Sequence, residues 1–263
     1  MHFPAALAAL LLLTAAPAIG AAPPTLAAHR ALYDLKLDLG HHGDIVAASG
    51  TMGYEMIDAC DGWTVRQRLW MVVTDSEDRN IEMVSDYSTY ESKDGLRFSF
   101  HMKQFTEGAI TSQTDGTARL TRRGGPGEAH YSTPDEDVKK LPPGTLFPMA
   151  HTGALVAAAR DGKRFLTAPL FDGTVEDGAQ DSSVAIVGWR KPQPNKYAAL
   201  AALPSTRVRI AFFERKPEAM TPEYQVGMRY WENGVADDMQ MDFGDFTMNA
   251  HMTEFKPVPT KCR

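Results

Sequence analysis

Residues 29–39 read HRALYDLKLDL, and the spacing of the apolar residues in this stretch decides the fold class. Ala31, Tyr33, Leu35, Leu37 and Leu39 alternate with Arg30, Asp34, Lys36 and Asp38, and only Leu32 breaks the pattern. Successive side chains of an extended chain point to opposite faces, so a period of two makes one face to bury and one face to wet. That is a half-buried strand. An amphipathic helix would space its apolar residues three and four apart.

Working outward, the same period recurs. DIVAASGTMGYEM (44–56) puts Val46, Ala48, Met52, Tyr54 and Met56 on one side. GWTVRQRLWMVV (62–73) does so with Trp63, Val65, Leu69, Met71 and Val73, against Arg66 and Arg68. NIEMVSDYSTYES and GLRFSFHMKQF follow, separated by the turn signal Lys93-Asp94-Gly95. Short turns between successive strands imply an antiparallel meander. Residues 122–144 are rich in Gly, Pro and charge, and a single short strand is expected there, near 129–132, between loops. Strands resume at KRFLTAPLFDG (163–173) and run to TMNAHMTEF, with Glu232-Asn233-Gly234 the strongest hairpin signal in the chain.

One segment departs from the β period. FPMAHTGALVAAARDG (147–162) has Pro148 where a first helical turn accepts it, an alanine-rich body, and Gly162 as a stop. The expected architecture is mainly β: a single large antiparallel β-spiral or open barrel of about 13 strands, with one substantial helix at about 147–161. No long linker or fixed-period repeat divides the chain, so one domain is expected over residues 23–263.

The first residues carry an apolar run from about Ala5 to Ile19 followed by Gly20, Ala21 and Ala22, which reads as a secretory signal peptide over residues 1–22. Export to an oxidising compartment favours pairing of the two cysteines, Cys60 and Cys262. Two free thiols or an intermolecular bridge are the alternatives. Neither a CxxC nor a Cys/His cluster is present, so redox catalysis and zinc lack their usual spacing. With 27 basic and 33 acidic residues the net charge is -6 and no basic stripe appears, which argues against nucleic acid as a partner.

Catalytic signals are sparse. Neither GxSxG nor SxxK occurs. Of eight histidines, His41, His42 and His151 come closest to a base role, with His151 on the expected helix. Asp172 and Glu176 in LFDGTVE form a carboxylate pair, but turn chemistry accounts for Asp172-Gly173 more simply. Met220, Met228, Met239, Met241, Met248 and Met252, with His251, crowd the last 45 residues. Thioethers and imidazole suit Cu(I), yet the strand alternation favours core filling first and an apolar groove for a lipid-like or protein ligand second. No catalytic, cofactor-binding or metal-binding residue is expected.

Several stretches together resemble the EipB-like cell-envelope integrity family of alphaproteobacteria: AHRALYDLKL, SGTMGYEMIDACDGW, SDYSTYESKDGLRFSF, LPPGTLFPMAHTGALVAAARDGKRFLTAPLFDG and the terminal Cys262. The resemblance spans nearly the whole chain after residue 22. It implies a periplasmic, non-enzymatic β-spiral, similar in outline to the open barrels of lipoprotein carriers, that maintains the envelope under stress. It implies an internal disulfide between Cys60 and Cys262, and it brings no catalytic residues. An envelope protein, a lipid or a lipoprotein is the partner class it suggests.

Overall fold

The computed structural model describes residues 25–40, 43–216 and 218–262. Eight strands come first: β1 (His29–Leu37), β2 (Ile45–Asp58), β3 (Gly62–Asp75), β4 (Asn80–Ser92), β5 (Arg97–Thr106), β6 (Ala109–Leu120), β7 (Gly127–Thr133) and β8 (Asp137–Leu141). Helix α1 (Pro148–Arg160) follows. Then come β9 (Phe165–Leu170), β10 (Gln180–Arg190), the single turn α2 (Ala198–Ala201), β11 (Ser205–Phe213), β12 (Tyr224–Trp231), β13 (Ala236–Asp242) and β14 (Thr247–Pro257).

All fourteen strands form one sheet, in the order β8-β7-β6-β5-β4-β3-β2-β1-β14-β13-β12-β11-β10-β9. Two antiparallel meanders are therefore joined where the first strand meets the last, with Leu35 opposite Ala250 and His29 opposite Pro257. The edges, β8 and β9, are consecutive in sequence and linked through α1. The sheet does not close into a barrel. After β8 the chain makes one parallel bridge to β9 instead: Leu146 N–H donates to Pro169 O at 2.9 Å and Phe171 N–H to Leu146 O at 3.0 Å.

The antiparallel sheet matches the period-two pattern, and the observed α1 matches the expected helix to within one residue at each end. Gly162, at φ 75°, ends the helix as its sequence position predicts. Its N–H donates to Ala159 O and that of Lys163 to Ala158 O, the paired bonds of a Schellman stop. The extra strand is β8. Its residues DVKKL carry two lysines and an exposed Val138, the composition that keeps a sheet edge from pairing with another chain, and composition of this kind reads as loop. Two faces also differ from expectation. A bulge between Ile45 and Ala47 turns Val46 out to 53% exposure, and Leu39, 78% exposed, lies beyond the end of β1.

The inner face of the sheet wraps α1. Leu155, Val156, Ala158 and Ala159 pack with Leu35 of β1, Met71 of β3, Ile210 of β11 and Met248 of β14 in one core. Burying a side chain such as Leu155 contributes about 2 kcal/mol. A second, aromatic core fills the β5–β8 half. Phe98 stacks on Phe147 at 5.0 Å, and Phe171 meets Phe100 and Tyr131 edge-on at 5.4 and 6.2 Å. Phe147 and Phe171 flank the β8–α1–β9 passage, so this cluster anchors the point where the sheet comes nearest to closing.

Candidate functional site

Two neighbouring cavities lie on the inner side, at the N-terminal end of α1. The first is a chamber of about 230 Å³. Met52, Met56, Met149, Met228 and Met239 supply much of its wall, with Tyr33, Tyr54, Tyr87 and Tyr230. Tyr33 donates to Ala236 O at 2.8 Å and Tyr87 to Asp172 O at 2.6 Å, so both hydroxyls have partners within the protein. The second is an open mouth of about 600 Å³ bordered by Trp63, Lys93, Asp94 and Arg123, with Glu91 deeper in.

The mouth is built from turns and chain ends. Cys60 occupies the β2–β3 turn at φ 72°, and in the structure a disulfide joins it to Cys262, with their Cα atoms 5.3 Å apart. Asp58 Oδ1 accepts the Cys60 N–H at 2.9 Å and faces Lys93 Nζ at 2.6 Å. Partial burial raises the Asp58 carboxyl, but these bonds outweigh it and hold the group below its ordinary range. Lys93 Nζ also lies 4.3 Å from the Trp63 ring centre. The stretch before β1 crosses this end of the molecule. Ala27 N–H donates to Asn233 O, and Ala28 O accepts from Val258 N–H beyond β14. The Asn233-Gly234 turn thus forms the β12–β13 hairpin that its sequence predicts and also docks the stretch before β1.

Glu91 is the residue that sequence reasoning missed. Phe147 precedes α1 and offers no side-chain cap. The Glu91 carboxylate reaches across from β4 instead, accepting Met149 N–H at 2.7 Å and Ala150 N–H at 2.8 Å. Two of the orphan donors of a helix start are satisfied this way, beside the positive end of the helix dipole. Burial raises the Glu91 pKa to about 7 despite these bonds. The one signal in the sequence is a charged residue at an inward position of β4.

The other candidates do not converge. His151 is buried, and its Nε2 lies 2.9 Å from Ser182 Oγ. Burial holds its pKa down, at about 4. Neither His151 nor Ser182 lines the chamber or the mouth. Asp172 accepts both the N–H and the hydroxyl of Thr174, a turn as expected, while Glu176 is exposed. His41 and His42 lie outside the described residues. Met228, Met239, Met241, Met248 and Met252 all enter the main core, and two of them also line the chamber. Met220 is 85% exposed in a loop. His251 is exposed and faces Asp238 at 3.5 Å, while its neighbour Met252 is buried. Among the described residues no group of three or more His, Cys, Asp or Glu is placed to hold a metal ion, and no helix is long and apolar enough to cross a membrane.

A larger cleft, about 660 Å³, is bordered by β1–β5 and β14 and shares Tyr54, Gln67 and Tyr87 with the chamber. Its charges are largely paired with one another, Arg30 with Glu55 and Arg68 with Asp86, as on a solvated sheet face.

Comparison with known proteins agrees with this architecture. A solved structure from Brucella abortus, described as a β-barrel-like protein of a domain of unknown function, matches with a TM-score of 0.80 at 28% identity, covering 90% of this chain and 100% of that one. The cell envelope integrity protein EipB of Brucella abortus (strain 2308) is 30% identical over 252 residues, 91% of this chain and 87% of the relative. The profile of the EipB-like family matches residues 20–259. The chain therefore belongs to the EipB-like family.

Proposed function

We propose that this protein supports cell-envelope integrity from the periplasm as a non-enzymatic binding protein, with the chamber and mouth at the start of α1 as its working surface. The observation that carries the role is the 30% identity, over 91% of the chain, to a relative named for cell envelope integrity. Export is supported by the apolar run before the small residues at 20–22 and by the Cys60–Cys262 bond, which suits an oxidising compartment. A binding role in place of catalysis is supported by the wall chemistry. Methionines and phenol rings surround the chamber, burial pushes the Tyr33, Tyr54 and Tyr87 phenols up and so keeps them neutral, and the shifted carboxyl and imidazole of Glu91 and His151 serve the helix cap and the core.

The test is a deletion strain. Loss of the gene is expected to sensitise cells to bile salts and dodecyl sulfate, with rescue by the full chain and none by a chain lacking residues 1–22. Unchanged detergent resistance in the deletion strain, or rescue by the unexported chain, would remove the proposal.

A further inference from the structure

Leu26 and Met149 line both the chamber and the mouth, so these two side chains form the boundary between them. Leu26 sits in the irregular stretch 25–28, and it lies where it does because Gly234 has no side chain: a Cβ there would stand 2.5 Å from Leu26 Cδ2. Met149 is unbranched and rotates about three bonds. Both pack in a small cluster with Met56, Val65 and Trp63, separate from the main core.

The chamber beyond this boundary is largely apolar, and most of its polar groups have partners within the protein: His29 faces Ala27 O, Tyr33 and Tyr87 donate to backbone carbonyls, and Tyr54 stands opposite Gln67 on β2 and β3, with Thr89 and Thr152 the remaining hydroxyls besides Tyr230. A peptide entering it would bring an N–H and a C=O for nearly every residue, more than such a wall can pair. A hydrocarbon chain brings none. The volume of about 230 Å³ is that of roughly eight water-sized units, enough for about eight methylenes of one chain and too little for two chains side by side. The mouth is wider and open, and the charged groups that border it are Lys93, paired with Asp58, Arg123, which donates to Asp94 O, and Asp94.

We propose that the chamber and the mouth are the two halves of one site for a single unbranched acyl chain, its tail in the chamber and its polar head in the mouth, admitted when Leu26 and Met149 swing aside. The assignment rests on the binding role proposed above and gives it a ligand class.

Calorimetric titration of the purified exported chain with a series of linear fatty acids, each below its micelle concentration, tests it. A second arm uses lysophosphatidylcholines of matched chain length. Affinity is expected to rise about fourfold per methylene, the equivalent of about 0.8 kcal/mol, and to level off after roughly eight buried methylenes. Leu26→Ala, which opens the boundary, is expected to bind every length at least threefold more tightly. Ala236→Phe and Thr89→Met each fill the chamber and are expected to weaken binding at least tenfold, with melting curves confirming that each variant is folded.

Binding in both arms with one plateau assigns recognition to the chain, and binding in a single arm assigns the head as well. No binding at any length, affinity independent of length, or folded filled variants that bind like the parent would overturn the proposal. If chains bind as expected but cells carrying Ala236→Phe keep full detergent resistance, the site stands and its link to the envelope role falls. If no chain binds and those cells lose resistance, the ligand class falls and the role stands.

Discussion

Glu91 and Met149 lie 58 positions apart in sequence and meet in a partly buried hydrogen bond of 2.7 Å, from the first turn of α1 to a strand carboxylate. This bond and its partner at Ala150 tie α1 to the end of β4, directly beside the chamber. Glu91→Ala strands two helix donors, and a loss of about 2–3 kcal/mol is expected from urea unfolding. Glu91→Gln keeps one acceptor and is expected to lose less. Equal losses in the two variants would mean that packing, and not the cap, is what Glu91 contributes.

Glu91 and His151 set opposing pH dependences. The folded pKa of Glu91, about 7, lies above its ordinary 4.5. The native state therefore keeps a proton that the unfolded chain has released, and this contribution is complete below 4.5 and lost as pH rises to about 7. His151 is held at about 4 against an ordinary 6.5, so its contribution is complete above 6.5 and lost as pH falls toward 4. Between about 4.5 and 6.5 the two slopes oppose each other. Relative to the parent, Glu91→Gln is expected to gain stability with rising pH across that window and His151→Gln to lose it, by at most about 1.4 kcal/mol per pH unit. Parallel stability–pH curves for parent and variants would refute both assignments.

The bond between Cys60 and Cys262 encloses a loop 202 residues in separation. In the chain-entropy picture it stabilises the fold by about 5 kcal/mol at most, and by less where the reduced chain retains structure. Reduction is expected to lower Tm by about 5–15 °C, and the Cys60→Ser/Cys262→Ser double variant should melt like the reduced protein. The bridge itself is checked first by mass spectrometry of the non-reduced digest. An oxidised protein that melts no differently in reductant contradicts a stabilising role.

Gly173 sits at φ 72° with the Phe100 ring where a side chain would go, since a Cβ would stand 2.2 Å from Phe100 Cγ. Thr114 also donates to Gly173 O at the same point. Gly173→Ala is expected to destabilise by about 2–4 kcal/mol, from the left-handed backbone and from overpacking of the aromatic cluster. A change within 0.5 kcal/mol, the range of an ordinary surface substitution, would show that this loop moves away freely.

The sheet was legible because alternation is local. Ala31, Tyr33 and Leu35 show their buried face within a span of five residues, and α1 carries its own start and stop in Pro148 and Gly162. What stayed hidden is set by distance. The fourteenth strand, β8, is an edge whose lysines serve to prevent pairing, so its composition resembles a loop. The Glu91 cap depends on β4 passing the start of α1, which no local window contains. Leu26 resembles a leftover apolar residue after the expected signal peptide until the Asn233-Gly234 turn is seen to hold its stretch of chain. The methionines were readable as a buried stripe, but their division between solid core and chamber wall depends on how the sheet curls.

Complementation of the deletion strain with Ala236→Phe is the measurement that bears most directly on the claim that the protein acts through its interior. The variant protein should accumulate to parental levels and melt within a few degrees of the parent. Cells carrying it should plate on bile salts as poorly as the deletion strain. Full plating efficiency with a folded, filled chamber would contradict the account and move the working surface to the outside of the sheet.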